Sequence, residues 1–278
     1  MKFTRATSLI VPLLALMPTL LLCSITVTAN AAENFSLSGS DIEKGHAIAK
    51  ETERLDSGFK DYIVEAKMYL KQDDKVLSER VFNSKVLEII GDGDHSVNVF
   101  KSPRDVAGTA ILIHSHGTTP DDQWLYLPAV KRVKRISTRS KSGPFVGSEF
   151  AYEDISSWVP EKYTYRFLEH AQLDGNNCFK VENTPAYSDS GYSKLHEWVD
   201  SKIFRPRKID YFDRKGDLLK TLHFQDYQQY QNTFWRPSKM VMVNHQNGRS
   251  TEIDWHNYQY ETGLTASDIA KAKLRSIQ

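Results

Sequence analysis

The tetrapeptide His114-Ser115-His116-Gly117 carries the side chains best suited to chemistry. Two histidines at alternate positions of a strand point to the same side, so they could begin a metal site. A serine beside a histidine could also take part in hydrolysis by nucleophilic attack. However, no nearby cluster of Cys, His, Asp or Glu supplies further ligands. The tetrapeptide lies where the strand-like residues 109–113 must turn back towards Gln123, and we therefore interpret it as the polar tip of a hairpin.

Other candidate catalytic groups are isolated in the sequence. The acid pair Glu153-Asp154 could do acid–base work, but adjacent side chains usually point apart, so we expect capping or an ion pair instead. Cys178 has no identifiable base partner and is interpreted as a packed thiol. The motifs G-x-S-x-G, H-E-x-x-H, G-x-x-x-x-G-K-[ST] and G-x-G-x-x-G are absent. We therefore predict no catalytic residue, no metal site and no cofactor.

The N-terminus indicates export. Lys2 and Arg5 precede an uncharged apolar run over residues 9–27, and Ala29-Asn30-Ala31 matches the small-x-small pattern of a signal peptidase site. An uncleaved membrane anchor is the alternative, because the run approaches the length of a membrane span. Prolines within the run disfavour an anchor. We predict a signal peptide at residues 1–31, cleaved after Ala31, and an exported protein of one domain at residues 32–278.

Composition limits the function of the mature chain. Removal of the signal peptide takes two basic residues, so 36 basic residues become 34 against 35 acidic ones. A nucleic-acid binder would normally show a clear basic excess, so nucleic acid is not an expected partner. Cys178 is then the one remaining cysteine, which excludes an internal disulfide. Stability must come from an ordinary apolar core, and the apolar content of 40% can supply one.

Periodicity predicts one helix followed by a long series of strands. Ser40 and Glu43 have the spacing of a capping box before a helix over residues 42–55. From Tyr62 onward apolar residues alternate with polar ones, as in half-buried antiparallel strands. Strand-like segments with short turns between them follow at residues 62–70, 76–90, 97–101, 109–114, 123–127, 130–137, 163–170, 178–183, 193–200, 207–212, 218–230, 239–245 and 251–260. We predict a mainly β fold with one large antiparallel sheet, curled into a barrel or half-barrel.

Two segments interrupt this pattern. Residues 144–155 mix aromatic and acidic side chains around Gly147 and are predicted to form a loop or short helix. Residues 265–275, which begin with Ser267-Asp268 in their first turn, are predicted to form a terminal helix.

An aromatic segment stands directly before a basic one at residues 121–137. Trp124 and Tyr126 share one face of the predicted strand and Leu125 and Leu127 the other, which predicts burial on both sides. The basic residues that follow indicate a strand at a rim or edge of the sheet. A charged edge that resists aggregation is one interpretation. The other is contact with an anionic head group or an acidic partner through Arg132, Lys134 and Arg135.

The same region resembles a known family. The block D-Q-W-L-Y-L-P-A at residues 122–129, R-V-K-R-I at residues 132–136 and F-V-G-S-E-F-A-Y-E-D at residues 145–154 is similar to the outer-membrane lipoprotein-sorting (LolA-like) family of periplasmic proteins. Pro103 with Gly108-Thr109 upstream, and R-P-R-K-I-D-Y-F-D at residues 205–213, match as well. The similarity runs over about residues 59–263.

The resemblance implies an unclosed antiparallel β-barrel, or half-barrel, with helices packed at or in its mouth. It also implies a carrier of a lipid or a lipoprotein acyl chain, in a branch associated with inner-membrane exporters of the resistance-nodulation-division (RND) type. We expect a monomer. The aromatic residues could fill a core or line a ligand cavity, and residues 145–158 could form a plug. The candidate lining or plug residues are Trp124, Tyr126, Phe145, Phe150, Tyr152 and Trp158.

Three functions follow from these observations. The first is a periplasmic carrier without covalent chemistry. The second is an accessory protein that holds no ligand and docks on an RND-type exporter. The third is a hydrolase that uses His114 or His116.

Overall fold

The computed structural model describes residues 1–2, 35–73 and 75–276. Nearly all of the predicted signal peptide lies outside the described residues. Residues from Phe35 onward form one unit.

Helix α1 (Asp41–Arg54) begins at the predicted capping box. The Ser40 backbone amide donates to Glu43 Oε2 over 2.8 Å, and the Glu43 amide donates to Ser40 Oγ over 3.3 Å. Two amides that lack partners inside the helix are satisfied in this way. Among the described helices, none combines the length and the apolar run needed to cross a membrane.

Thirteen strands follow in the described residues, all in one sheet. Their bounds are β1 (Asp61–Gln72), β2 (Lys75–Leu87), β3 (His95–Ser102), β4 (Ala110–His114), β5 (Asp122–Leu127), β6 (Arg132–Arg135), β7 (Tyr163–Leu173), β8 (Asn176–Pro185), β9 (Tyr192–Asp200), β10 (Pro206–Asp213), β11 (Leu218–Tyr230), β12 (Phe234–Asn244) and β13 (Arg249–Tyr260). Short 3₁₀ turns lie at Pro128–Val130, Thr138–Ser140, Phe145–Gly147, Pro160–Lys162 and Lys271–Lys273.

The strand order leaves the sheet open. It reads β6-β5-β4-β3-β2-β1-β13-β12-β11-β10-β9-β8-β7, and each neighbouring pair is antiparallel. The strands β6 and β7 are consecutive in the chain but occupy opposite edges, and residues 136–162 connect them. The predicted mainly β, unclosed antiparallel fold is confirmed.

The sheet curls around its inner face. Buried side chains from both halves of the sheet pack into one cluster there, among them Phe82 of β2, Ile111 of β4, Leu222 of β11 and Met242 of β12. A second cluster on the same face forms where α1 packs on β7–β9 through Ile48. We call these the main cluster and the helix cluster.

The C-terminal segment differs from its prediction. Residues 265–275 form turns and one 3₁₀ turn, not an α-helix, because Ala270 has an extended backbone (φ −89°, ψ 144°). Extended backbone at this point lets Ile269 and Leu274 both bury against the outer face of β3–β5. Tertiary packing there outweighs helix propensity.

Candidate functional site

A cavity of about 970 Å³ lies on the inner face of the sheet. Its floor combines residues of the main cluster, such as Leu195 and Leu222, with half-buried Ile209, Phe224 and Met240. Polar residues line another side of the cavity: Thr52 near the end of α1, Asp56 just after it, Arg205 in the loop before β10 and Arg236 of β12. The cavity is therefore a mostly apolar space with charged groups at its margin.

Strand register explains why the floor is apolar. Glu197 of β9 is paired with Ile209 of β10, Ile209 with Leu222 of β11, and Leu222 with Met242 of β12. Paired residues share a face of the sheet, so these four side chains form a row across the inner face. Glu197 is the one acid in this row.

Burial changes the titration of Glu197. Removal from water raises the pKa of its carboxyl to about 7, although a hydrogen bond from Asn183 partly offsets the shift. Two other acids of the cavity are affected in the same direction. Burial raises the pKa of Asp94 to about 6, and burial together with the neighbouring Asp154 raises the pKa of Glu153 to about 7. The cavity thus favours neutral acids.

Residues 145–158, which we call the plug segment, fill one end of the inner face. Phe145 and Phe150 are 2% exposed and belong to the main cluster. Asp154 accepts hydrogen bonds from the Ala151 amide (2.6 Å) and the Tyr192 hydroxyl (2.7 Å). Its other contact is an ion pair with Lys220, 2.6 Å between Nζ and Oδ2.

The neighbouring acid of the plug segment, Glu153, points in a different direction from Asp154. Glu153 accepts from the Gly191 amide (2.8 Å) and the Ser190 hydroxyl (3.1 Å), in the loop before β9. The expectation that Glu153 and Asp154 point apart and serve as structural partners is confirmed. Together these contacts attach the plug segment to β9 and β11.

A charged cluster ties the end of α1 to the sheet. Asp56 pairs with Arg205 (3.0 Å) and with Arg236 of β12. Arg205 also donates to the Thr52 carbonyl over 2.8 Å. The cluster closes one side of the cavity and holds α1 beside it.

Comparison with solved structures identifies the family. An outer membrane lipoprotein-sorting protein domain from Vibrio parahaemolyticus is 48% identical over 84% of this chain and 99% of its own, with a TM-score of 0.82. The chain belongs to the outer membrane lipoprotein-sorting family. A DUF1329 family protein from Desulfovibrio piger is 29% identical, with a TM-score of 0.80 over 85% of this chain and 100% of its own.

Other comparisons agree with this lipoprotein-sorting fold. A LolA superfamily protein from Nitrosomonas europaea, 20% identical, shares the fold over 82% of this chain and 98% of its own, with a TM-score of 0.65. A family model described as that of an uncharacterized protein matches residues 92–276. Among curated proteins, none matches the sequence.

The structure separates the aromatic residues that were predicted to line the cavity or form the plug. Trp158 lines the cavity. Phe145, Phe150 and half-buried Tyr152 pack within the main cluster beside it.

Trp124 and Tyr126 require a correction. They belong to the cluster on the outer face, where Trp124 packs with Ile269 and Leu274. Side chains alternate along β5, so Leu125 takes the inner face and its neighbours the outer one. The lining role predicted for Trp124 and Tyr126 does not fit this position.

The predicted basic contact residues lie on the edge strand. Arg132, Lys134 and Arg135 of β6 are all exposed. Arg135 forms an ion pair with Asp122 of the neighbouring β5, with its Nε 3.1 Å from Oδ1. The expectation of a charged edge agrees with this position, and contact with a head group or partner stays a prediction.

The histidine tetrapeptide forms the predicted hairpin between β4 and β5. His114 Nε2 lies 2.8 Å from the Ile269 carbonyl, and its ring stacks on His95 with 3.9 Å between centroids. His116 Nδ1 lies 3.0 Å from Asp92 Oδ2. Within the described ranges, no group of three His, Cys, Asp or Glu residues could hold a metal ion. These contacts attach the hairpin and the C-terminal segment, and they give the histidines a structural role.

The thiol of Cys178 is buried, and burial raises its pKa to about 11. A thiol with this pKa is protonated at neutral pH and is a poor nucleophile. This agrees with its interpretation as a packed residue.

Sequence reasoning missed the polar residues of the cavity. The periodicity places Glu197 and Asn183 in strands without marking them as cavity residues, and it does not mark Lys220, which holds the plug segment beside the cavity. One signal was available for Glu197, since it alternates with Leu195 and Val199 and so falls on an otherwise apolar face. Lys220 gave none, because its partner Asp154 lies in a segment without regular periodicity.

Proposed function

We propose that this lipoprotein-sorting family member is a carrier that binds a lipid, or the acyl chains of a lipoprotein, in the inner cavity. It transfers that cargo between partners of the envelope without covalent chemistry. The observation that carries the proposal is the apolar cavity of about 970 Å³ inside an unclosed sheet. Small-molecule sites commonly span roughly 300–1,000 Å³, so this cavity is at the large end of the range.

Energetics explain why such a carrier needs a partner. Burial of an acyl chain contributes about 0.8 kcal/mol per methylene, on the order of 10 kcal/mol for one long chain before entropy costs. Release into water would then be very slow. Transfer must occur directly to an acceptor, once the plug segment or α1 has moved to open the cavity of the unclosed sheet.

The proposed location is the periplasm, reached through a signal peptide cleaved after Ala31. The protein would act there as a monomer, and an inner-membrane exporter of the RND type is the proposed partner. Nucleic acid is not a proposed partner, because the mature chain has no basic excess.

Lipid extraction tests the carrier function. The full precursor would be expressed in a Gram-negative host, and the protein purified from the periplasm and extracted with organic solvent. Mass spectrometry should detect a lipid in a ratio near one per protein. Ile209→Trp, which places a large side chain in the cavity, should remove most of that lipid.

A matched substitution controls for general damage. Gln225 is exposed and follows the lining residue Phe224, so Gln225→Trp adds the same side chain on the opposite face of β11. It should retain the lipid. Absence of stoichiometric lipid from the wild-type protein, or equal loss in both variants, would contradict the carrier function.

An accessory protein that docks on an exporter is the second candidate, favoured by one observation. The edge strand β6 leaves backbone groups unpaired on its free side and exposes Arg132 and Lys134. A basic edge suits an acidic surface on a partner. If the purified protein holds no lipid but binds exporter-containing vesicles, this function replaces the first.

A further inference from the structure

Two polar side chains interrupt the apolar floor of the cavity. Along the inner face of β9, Leu195 belongs to the main cluster and Val199 to the helix cluster. Glu197 lies between them, and Asn183 of β8 lies beside it; both line the cavity. Glu197 is 8% exposed and Asn183 is 3% exposed. The pair therefore stands midway between the two apolar clusters.

The pair has more hydrogen-bonding capacity than the surrounding protein uses. Asn183 Nδ2 donates to Glu197 Oε2 over 2.6 Å. In the part of the chain that the structure describes, the buried Asn183 Oδ1 has no partner. The hydrogen bond found at the Glu197 carboxyl is the one to Oε2, which leaves its Oε1 available to the cavity that Glu197 lines. Buried polar groups are nearly always paired in proteins, so an unpaired acceptor in this pair and an available carboxylate oxygen beside it indicate a missing partner.

We propose that Glu197 and Asn183 form an internal polar subsite for a neutral hydrogen-bond donor, such as a hydroxyl group, on an otherwise apolar ligand. The inference rests on the proposed carrier function and narrows its cargo. The ligand would be an amphiphile with its donor group inside the cavity, not a chain that is apolar throughout its buried length.

Charge excludes the other common head groups. Within the described ranges neither side chain forms an ion pair or a hydrogen bond with a Lys or Arg, so an anionic group at this point would meet an acid and an amide without a paired countercharge. An ammonium group would have to lose its hydration beside Ile209 and Leu222, which is costly in an apolar wall. The raised pKa of Glu197, about 7, agrees with a neutral ligand. A carboxyl with this pKa can take up a proton and become neutral when such a ligand binds.

Three ligands of equal chain length test the subsite on the mature full-length protein, freed of lipid on a hydrophobic resin. They are hexadecan-1-ol, its methyl ether and hexadecanoate, each measured by displacement of the dye N-phenyl-1-naphthylamine. The alcohol and the ether differ by the donor alone. We expect the wild type to bind the alcohol roughly 3- to 10-fold more tightly than the ether, as one net hydrogen bond allows.

Variants assign the preference to Glu197. Glu197→Leu should still bind the ether but lose the preference for the alcohol, and Glu197→Gln, which keeps an acceptor, should retain part of it. Glu169→Leu makes the same change at an exposed acid of β7 and should behave as the wild type. Thermal unfolding of each variant shows whether it is folded.

The outcomes separate this inference from the carrier function. Equal binding of alcohol and ether, tighter binding of hexadecanoate, or an unchanged preference in Glu197→Leu overturns the subsite and leaves the carrier function standing. If the wild type displaces the dye with none of the three ligands, both proposals are wrong.

Discussion

The ion pair between Asp154 and Lys220 should be the main attachment of the plug segment. Their side chains are 1% and 4% exposed, and Lys220 also donates to the Glu149 carbonyl over 3.0 Å. Lys220→Met removes the ammonium and keeps an unbranched stem, which leaves Asp154 buried without a countercharge. Loss of one partner of a buried pair typically costs 3–5 kcal/mol. Because Asp154 keeps its bonds from Ala151 and Tyr192, we expect the lower part of that range, about 3 kcal/mol.

Urea unfolding measures this loss. Adding Asp154→Asn to Lys220→Met removes the uncompensated charge while keeping an acceptor for Ala151, so the double variant should be more stable than Lys220→Met alone. Lys215→Met is the control, since this lysine is exposed and should change the free energy of unfolding by less than about 0.5 kcal/mol. A loss below about 1 kcal/mol in Lys220→Met, or additive losses in the double variant, would refute the reasoning.

Three further predictions concern other parts of the molecule. The folded protein holds a proton on Glu197 that the unfolded chain releases near its ordinary pKa of 4.5, so stability should fall as pH rises from about 4.5 to about 7. Across that interval the free energy of unfolding should fall by on the order of 3 kcal/mol. Glu197→Gln should make the free energy of unfolding, measured by urea titration, depend less steeply on pH in this range. An equally steep dependence in the variant would contradict the prediction. Gly45→Ala should destabilise the protein by about 1–3 kcal/mol in thermal or urea unfolding, because a Cβ there would lie 2.9 Å from the Arg166 amide of β7; a neutral result would show that α1 can shift at no cost. Arg132→Glu with Arg135→Glu should abolish sedimentation with anionic liposomes or an exporter partner while leaving the unfolding midpoint nearly unchanged, and unchanged binding would exclude a role for this edge.

Sequence patterns correctly predicted the features that depend on residues close together in the chain. The capping box at Ser40 and Glu43 depends on residues three positions apart, and the alternation along β1 follows from the pleat of a half-buried strand. The hairpin at His114 follows from a turn between two short strands. Each of these features is decided within a few residues, so sequence reasoning reached it directly.

The faces of β5 show where local reasoning stops. Its residues are apolar on both sides, and alternation alone cannot say which side faces the cavity. The answer depends on Ile269 and Leu274, which reach the outer face from the end of the chain and cover Trp124. The pattern of residues 265–275 predicts a helix, and a helix would not place both Ile269 and Leu274 against Trp124. The error in the lining residues and the error in the terminal helix therefore have one cause, a long-range contact.

The empty middle of the inner face follows from the size of the sheet. Eight strands can close into a barrel whose side chains fill the interior, but thirteen strands enclose more space than their side chains fill. The plug segment fills one end and α1 the other, and the cavity remains between them. Because both inserts close the cavity, at least one must yield when cargo is exchanged.

The attachments of the two inserts differ in a way that predicts which one yields. Both inserts have buried apolar anchors, Ile48 in α1 and Phe145 with Phe150 in the plug segment, so the difference lies in their ion pairs. In the pair of the plug segment neither side chain is more than 4% exposed, whereas the pairs just after α1 use Asp56, whose side chain is 41% exposed. Water screens the second attachment and competes for it, so opening at α1 should cost less free energy than opening at the plug segment. Hydrogen exchange followed by mass spectrometry should show amides of α1 exchanging before those of residues 149–154. Asp56→Asn should accelerate exchange in α1 and leave the plug segment unchanged. If the plug segment exchanges first, cargo must enter past the plug, and the Asp154–Lys220 pair is weaker than its burial indicates.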